Sequence, residues 1–172
     1  MYPEVLPGTP FVPTLTVWNR RGESGSDTYN IIVKNKSLSV ETNIAIDDGL
    51  WYLHKAQTRT TTGSFPSGWW RTFAYGTYYA SATASALQAF EINGHLEQGN
   101  HRENPYVETV DRGLKYLFTT ISSTAINMQT YGDPDSNGNG VGIGVQGNRP
   151  IYEGGMVMDA IASSMSPLTR TV

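Results

Sequence analysis

Gly49-Leu50-Trp51-Tyr52-Leu53 and Gly113-Leu114-Lys115-Tyr116-Leu117 are two copies of one local phrase, set 64 positions apart. A supersecondary unit that cannot bury its own apolar face is commonly repeated until the copies bury one another, so this spacing points to duplicated helical hairpins. Around the first copy, Ile46, Leu50 and Leu53 fall on one stripe and predict a helix over 44–57, with Thr42 or Asn43 as its N-cap. Around the second, Val107, Val110, Leu114, Leu117 and Ile121 recur at three- and four-residue steps behind Asn104 and Pro105, which predicts a helix over 105–122. Tyr79, Ala82, Ala86, Ala89 and Phe90 predict a third over 78–93, closed by Asn93-Gly94. Pro150 opens a fourth over 151–165, with Val157, Ala160 and Ile161 inward and Ser166-Pro167 as its stop.

Upstream of the helices the periodicity changes. Pro3, Pro7, Pro10 and Pro13 fix extended backbone and remove donors, so the chain starts as an arm rather than a helix. Thr14 to Trp18 alternate with period two and read as a strand; after a polar break from Arg20 to Asp27, Tyr29 to Val33 and Leu38 to Val40 supply one or two more. The expected organisation is an arm with short strands over 1–43, a helical domain over 44–165 and a tail over 166–172. Connections of about 20 residues (58–77) and about 27 residues (123–149) are long for a compact domain and are expected to be functional loops or small β-elements.

The first phrase runs on as His54-Lys55-Ala56-Gln57, followed by Gly63-Ser64-Phe65 and Gly68-Trp69. This resembles the repeat of the squalene cyclases and protein prenyltransferases, the unit of the α/α toroid. The resemblance implies that Gln57, with Trp69 or Phe65, ties helix end to turn. The second copy keeps the helix portion but has Ile121 at the glutamine place and no loop tryptophan after it. What the resemblance implies is a mainly α fold, two toroid-type hairpins over roughly 44–165. Ring-closing relatives use five or more hairpins, so an arc of two is expected to be completed by further chain, by a partner, by self-association or by the arm.

Composition removes several functions. The chain has 172 residues with 12 basic and 15 acidic side chains, net −3, and no run of one sign, so it offers no electrostatic footprint for a nucleic-acid backbone. Without cysteine there is no disulfide, thiol nucleophile or thiolate metal site, which also breaks the aspartate–cysteine–histidine zinc set of the prenyltransferases. His54, His95 and His101 match no zinc spacing. No stretch approaches the ~20 apolar residues of a membrane span. Eighteen glycines, nine prolines and a charged fraction of only 16% lean towards an extracellular or cell-surface setting.

The remaining candidates are loops, aromatics and scattered carboxylates. Cyclases hold a protonated aspartate in an Asp-x-Asp-Asp motif; Asp47-Asp48 and Asp133-Pro134-Asp135 come near it and do not match. Asp133, Asp135, Asn137 and Asn139, with Gly138 sixth from Asp133, place oxygen donors at alternate positions ahead of a sharp turn, which suits calcium. The twelfth position is Gly144 rather than a bidentate glutamate, and an aspartate- and asparagine-rich turn without an ion is the competing reading, which the half-matched motif favours. Trp70 and Tyr75, in an aromatic cluster running from Trp51 to Tyr79, and Glu153, at the end of the long loop, are the candidate ligand-binding residues for a carbohydrate or an apolar molecule. Plugging the end of a helical bundle is the competing role of those rings. Glu91, Glu108, Asp111, Glu153 and Asp159 are the carboxylates available for sugar hydrolysis, although Glu108 and Asp111 also suit the first turn of a helix. No nucleophile elbow, phosphate loop or dinucleotide fingerprint occurs.

The expectation is a non-catalytic structural or recognition module, assembling as a homo-oligomer or in a larger complex through its arm, with Thr14 to Trp18 adding a strand to a neighbour. The alternative is an enzyme of cyclase-like or α/α-barrel carbohydrate-active type.

Overall fold

A computed structural model describes residues 8–61, 66–71, 78–147 and 149–164. The chain forms two compact units, residues 1–49 and 50–172.

The first unit is built on one long antiparallel hairpin. Strand β1 (Pro10–Phe11) pairs with β4 (Ile31–Ile32), and β2 (Thr14–Trp18) pairs with β3 (Ser24–Thr28). In every pair from Pro10↔Ile32 to Trp18↔Ser24 the two residue numbers sum to 42, so the two ladders are one continuous register. Tyr29 donates to the Pro13 carbonyl at 3.1 Å between them, and Asn19 donates to the Glu23 carbonyl at 2.9 Å at the tip. The polar break expected over 20–27 is therefore confined to the turn, and Ser24 to Thr28 are a strand. Asn19 makes this turn, its Oδ1 accepting from the N–H groups of Arg21 and Glu23, while Gly22 takes a positive φ that suits a residue without Cβ.

Helix α1 (Leu38–Ala56) begins six residues before its expected start and absorbs the strand expected over Leu38–Val40. The reason is a local cap: Ser37 Oγ accepts from Val40 N–H, and the Ser37 carbonyl receives Glu41 N–H at 3.0 Å. From 8 to 49 no described residue is buried; the first is Leu50, in the second unit.

The second unit holds the core. Helices α2 (Tyr79–Ile92), α3 (Tyr106–Thr120) and α4 (Pro150–Ser163) all fall within about a residue or two of expectation. Helix α2 is central and packs on both α3 and α4. Ala80, Ala84, Ala86, Leu87 and Phe90 on α2 meet Val110, Leu114 and Leu117 of α3 and Val157 and Ala160 of α4, all buried. Strand β5 (Thr58–Arg59) pairs with β6 (Gly68–Trp69), and β7 (Ile121–Ala125) with β8 (Val141–Val145), so both long connections carry β-elements.

This arrangement corrects the toroid expectation. Of the described residues 42% are helical and 19% lie in strands, four small antiparallel pairs among them, so the fold is mixed α and β rather than a mainly α pair of toroid hairpins. The physical cause lies in the side chains. The small residues along α2 let one helix serve two neighbours. Helix α1, with Leu50 as its only fully buried apolar side chain, has no continuous stripe to pair with α2. The two repeated phrases are consequently not equivalent: a Cβ on Gly113 would lie 2.7 Å from Leu87 Cδ2, whereas one on Gly49 would meet nothing within 4 Å.

Candidate functional site

The C-terminal end of α1 is held to α3 by a compact polar network. Gln57, buried, donates from Nε2 to the Thr109 carbonyl at 2.8 Å and accepts from Arg59 Nε at 3.0 Å. Gly68 sits across β5–β6 against this amide, and a Cβ there would lie 2.7 Å from Gln57 Cδ. Gln57 thus does tie a helix end, but to the backbone of α3. Trp69 instead packs its ring on Tyr116, with centroids 5.5 Å apart, and Phe65 lies outside the described residues.

His54 joins the same network. Arg59 Nη2 donates to Thr109 Oγ1 at 3.1 Å, and Thr109 Oγ1 lies 2.6 Å from His54 Nδ1. With a guanidinium supplying the hydroxyl oxygen, Thr109 donates onward to Nδ1, which leaves the proton of neutral His54 on Nε2. Burial first, and the Arg59 charge second, hold the His54 pKa below its ordinary value against an opposing pull from Glu108. Trp51 stacks on the imidazole at 5.1 Å and Tyr106 meets it edge-on. The hydroxyl–imidazole pair has the residue types of a nucleophile and base, yet Thr109 is 0% exposed, so no dissolved electrophile reaches Oγ1. The network positions elements; it does not present a reactive group. Spacing gave no sign of it, because its members come from α1, β5 and α3.

The ligand-binding candidates separate. Trp70 is buried, stands 6.2 Å from the ring of Phe90, and donates Nε1–H to the Leu53 carbonyl at 2.8 Å, while its own N–H is taken by Thr83 Oγ1. Its ring is one wall of an open groove of about 790 Å³ lined also by Tyr52, Leu53, Arg71, Ala82 and Ala86. Tyr75 falls outside the described residues. Glu153 is only 1% exposed and lies elsewhere, in the first turns of α4, where Oε1 accepts from Arg149 N–H at 3.2 Å in the manner of a helix cap. Gly147 leaves the room for this carboxylate, since a Cβ there would lie 2.7 Å from Glu153 Cδ. Oε2 has no hydrogen-bond partner among the described residues. Burial and the proximity of Tyr79 and Glu153 raise the Tyr116 pKa.

The other carboxylates are engaged as structural charges. Glu108 accepts from Arg112 Nε at 2.7 Å, which holds its pKa below the ordinary value, and Asp111 accepts from Lys115 at 2.7 Å. Asp159 accepts from Gln88 Nε2 between α4 and α2, and Glu91 is buried. Among the described residues no three His, Cys, Asp or Glu side chains come together as a metal-binding group.

In the loop between β7 and β8 each named side chain caps backbone. Asp133, Asn137 and Asn139 accept from the N–H groups of Asp135, Asn139 and Val141 in turn, and Asp135 Oδ2 accepts from Gly140 N–H at 2.6 Å. That last bond spans the first and sixth places of a loop starting at Asp135, two residues after the start expected from spacing. In this frame Asn137 and Asn139 stand third and fifth, and Gln146 twelfth.

No protein-family model, curated protein or solved structure matches the chain. Among the described residues no helix is long and apolar enough to cross a membrane.

Proposed function

We propose that this chain is a non-catalytic assembly module of an extracellular or cell-surface complex, and that the N-terminal hairpin is the part it presents to a partner. The observation that carries this reading is the pattern on the hairpin. Odd-numbered residues share one face, where Phe11, Leu15, Val17, Tyr29 and Ile31 are apolar and Asp27, opposite Leu15, interrupts them with a charge; Leu15 is 69% and Tyr29 73% exposed. The centre of the opposite face is Thr14, Thr16, Ser24, Ser26, Thr28 and Asn30, with Trp18 and Ile32 exposed towards its ends.

Alternation of this kind is what a sheet with one covered face requires. A lone two-stranded hairpin is marginal in water, and an apolar face that meets no core in its own unit is a surface for association. The low charge and high glycine and proline content support the extracellular setting. The dispersed, ion-paired or buried carboxylates and the inaccessible Thr109 support the non-catalytic part.

The test is the mass of the full chain by sedimentation, with the substitution pair Leu15→Glu and Val17→Glu as comparison. The native chain sediments above its 18.9 kDa monomer mass and the doubly substituted chain at it. A mass above the monomer that the pair leaves unchanged refutes the hairpin as the assembling element.

A further inference from the structure

We propose that the occupant of the hairpin's β2 edge is β2 of a second copy of this chain, antiparallel, with the two-fold axis passing through Thr16. This rests on the assembly reading above and names its partner and geometry.

Phase is the first argument. Asn19 pairs by hydrogen bond with Glu23 and Tyr29 with Pro13, so in the register that sums to 42 the odd-numbered residues bond inward between the strands. In an antiparallel ladder the intervening residues then point their N–H and C=O groups away from the partner strand. Along β2 these are Thr14, Thr16 and Trp18, and among the described residues nothing caps their N–H groups. A two-fold axis at Thr16 sets Thr16 opposite Thr16 and Thr14 opposite Trp18 of the second copy. All are outward-pointing, so each opposed pair exchanges two backbone hydrogen bonds without any change of register.

Side chains agree with that phase. The same axis puts Leu15 opposite Val17 of the second copy on the apolar face, joining the two apolar stripes across a four-stranded sheet. Thr16 meets Thr16 on the polar face. The run Thr14-Leu15-Thr16-Val17-Trp18 has no charge and no proline to oppose pairing, the devices by which edges are ordinarily blunted.

The opposite edge is treated differently, which decides between them. On β3 the outward N–H of Thr28 is taken by Asp27 Oδ1 at 2.8 Å, and the strand carries that charge and Gly25. Among the described residues one of the three outward N–H groups of β3 is taken by a side chain and the strand carries a charge, whereas β2 keeps all three of its own open and is uncharged.

Two matched substitutions test this in the full chain. Thr16→Pro removes an outward N–H from β2, and Ser26→Pro removes the corresponding outward N–H from β3. Both delete the same cross-strand hydrogen bond, Thr16 Oγ1 to Ser26 Oγ, so both disturb the hairpin comparably. Sedimentation at graded concentration is expected to give a dimer for the native chain and for Ser26→Pro, and a monomer for Thr16→Pro. Thr16→Cys supplies an independent readout in a chain without cysteine. Hydrogen-bonded opposed residues have Cα atoms about 5.5 Å apart, inside the range that a disulfide spans, so mild oxidation is expected to cross-link this variant as a dimer.

A native chain that is monomeric throughout overturns the proposal and leaves a strand of a different protein as the occupant. A dimer that survives Thr16→Pro but is lost with Leu15→Glu and Val17→Glu overturns the edge pairing while keeping the hairpin as the assembling element. Equal dissociation by Thr16→Pro and Ser26→Pro, with no cross-link from Thr16→Cys, overturns it too.

Discussion

Alanine at the two glycines of the repeated phrase is expected to act with opposite signs. Both lie inside helices, where glycine costs about 0.8–1 kcal/mol relative to alanine, so each substitution starts with a gain of that size. At Gly49 nothing stands within 4 Å of the new Cβ, and the gain is kept. At Gly113 the Cβ arrives 2.7 Å from Leu87 Cδ2, 3.1 Å from Cγ and 3.3 Å from Cδ1. Leu87 is itself fully buried between α2 and α3, so it has nowhere to withdraw. Overpacking of this kind costs about 1–3 kcal/mol, which offsets the helix gain and leaves Gly113→Ala destabilised by about 1 kcal/mol. Thermal unfolding followed by far-ultraviolet circular dichroism is the assay. At about 2–4 °C per kcal/mol for a chain of this size, the two variants are expected to melt several degrees apart, one above and one below the native chain. Leu87→Val trims the atoms that the new Cβ meets, so combined with Gly113→Ala it is expected to recover part of the loss, with a coupling of about 0.5–3 kcal/mol. Shifts of the same sign and size at both glycines, or strict additivity with Leu87→Val, would refute the claim that the two copies do different work.

The network at the end of α1 predicts a pH dependence. Because the native pKa of His54 lies below its ordinary 6.5, the unfolded chain binds more protons there than the native one as pH falls through that value. The stability is fully present above about pH 6.5 and declines below it; melting temperatures measured from pH 7.5 to 5.5 are expected to fall less steeply for His54→Gln than for the native chain. A second prediction concerns the turn at Asp135. It tests the calcium expectation there: with no twelfth-place carboxylate to complete the loop, an ion would bind at the weak, roughly millimolar end. An ion bound with a Kd of about 1 mM adds about 1.4 kcal/mol at about 10 mM, or about 3–6 °C in melting temperature. Asp135→Asn is expected to abolish that rise, and a native chain with equal melting temperatures in calcium and in chelator removes the ion.

Local signals carried the helices well. Asn104 was legible as the start of α3 because its side chain does cap, accepting from Tyr106 N–H at 3.0 Å. Asn93-Gly94 was legible as an end because Gly94 takes a positive φ, and His95 N–H returns to the Phe90 carbonyl at 2.9 Å. Strand β2 was visible in its alternation, but its partner was not, since Ser-Gly-Ser-Asp-Thr has the composition of a turn and is a strand only by pairing with β2. The start of α1 was missed because the apolar pattern of Leu38 to Val40 fits a short strand, and Ser37, one residue upstream, decides for the helix.

The candidate site was less readable. Trp70 and Glu153 were found by residue type, yet hydrogen bonding and burial assign them to the wall of a groove and to the first turns of α4. The network of His54, Gln57, Arg59 and Thr109 joins residues up to 55 positions apart, and no spacing rule contains it. Local sequence was enough for the bounds of α2, α3 and α4 and for the alternation of β2, because caps, turns and periodicity act within a few residues. Which helix is central, that the repeated phrase serves two different ends, and which segment pairs with β2 depend on contacts between residues far apart in the chain, so they emerge only from the folded arrangement, where distant atoms leave room or do not.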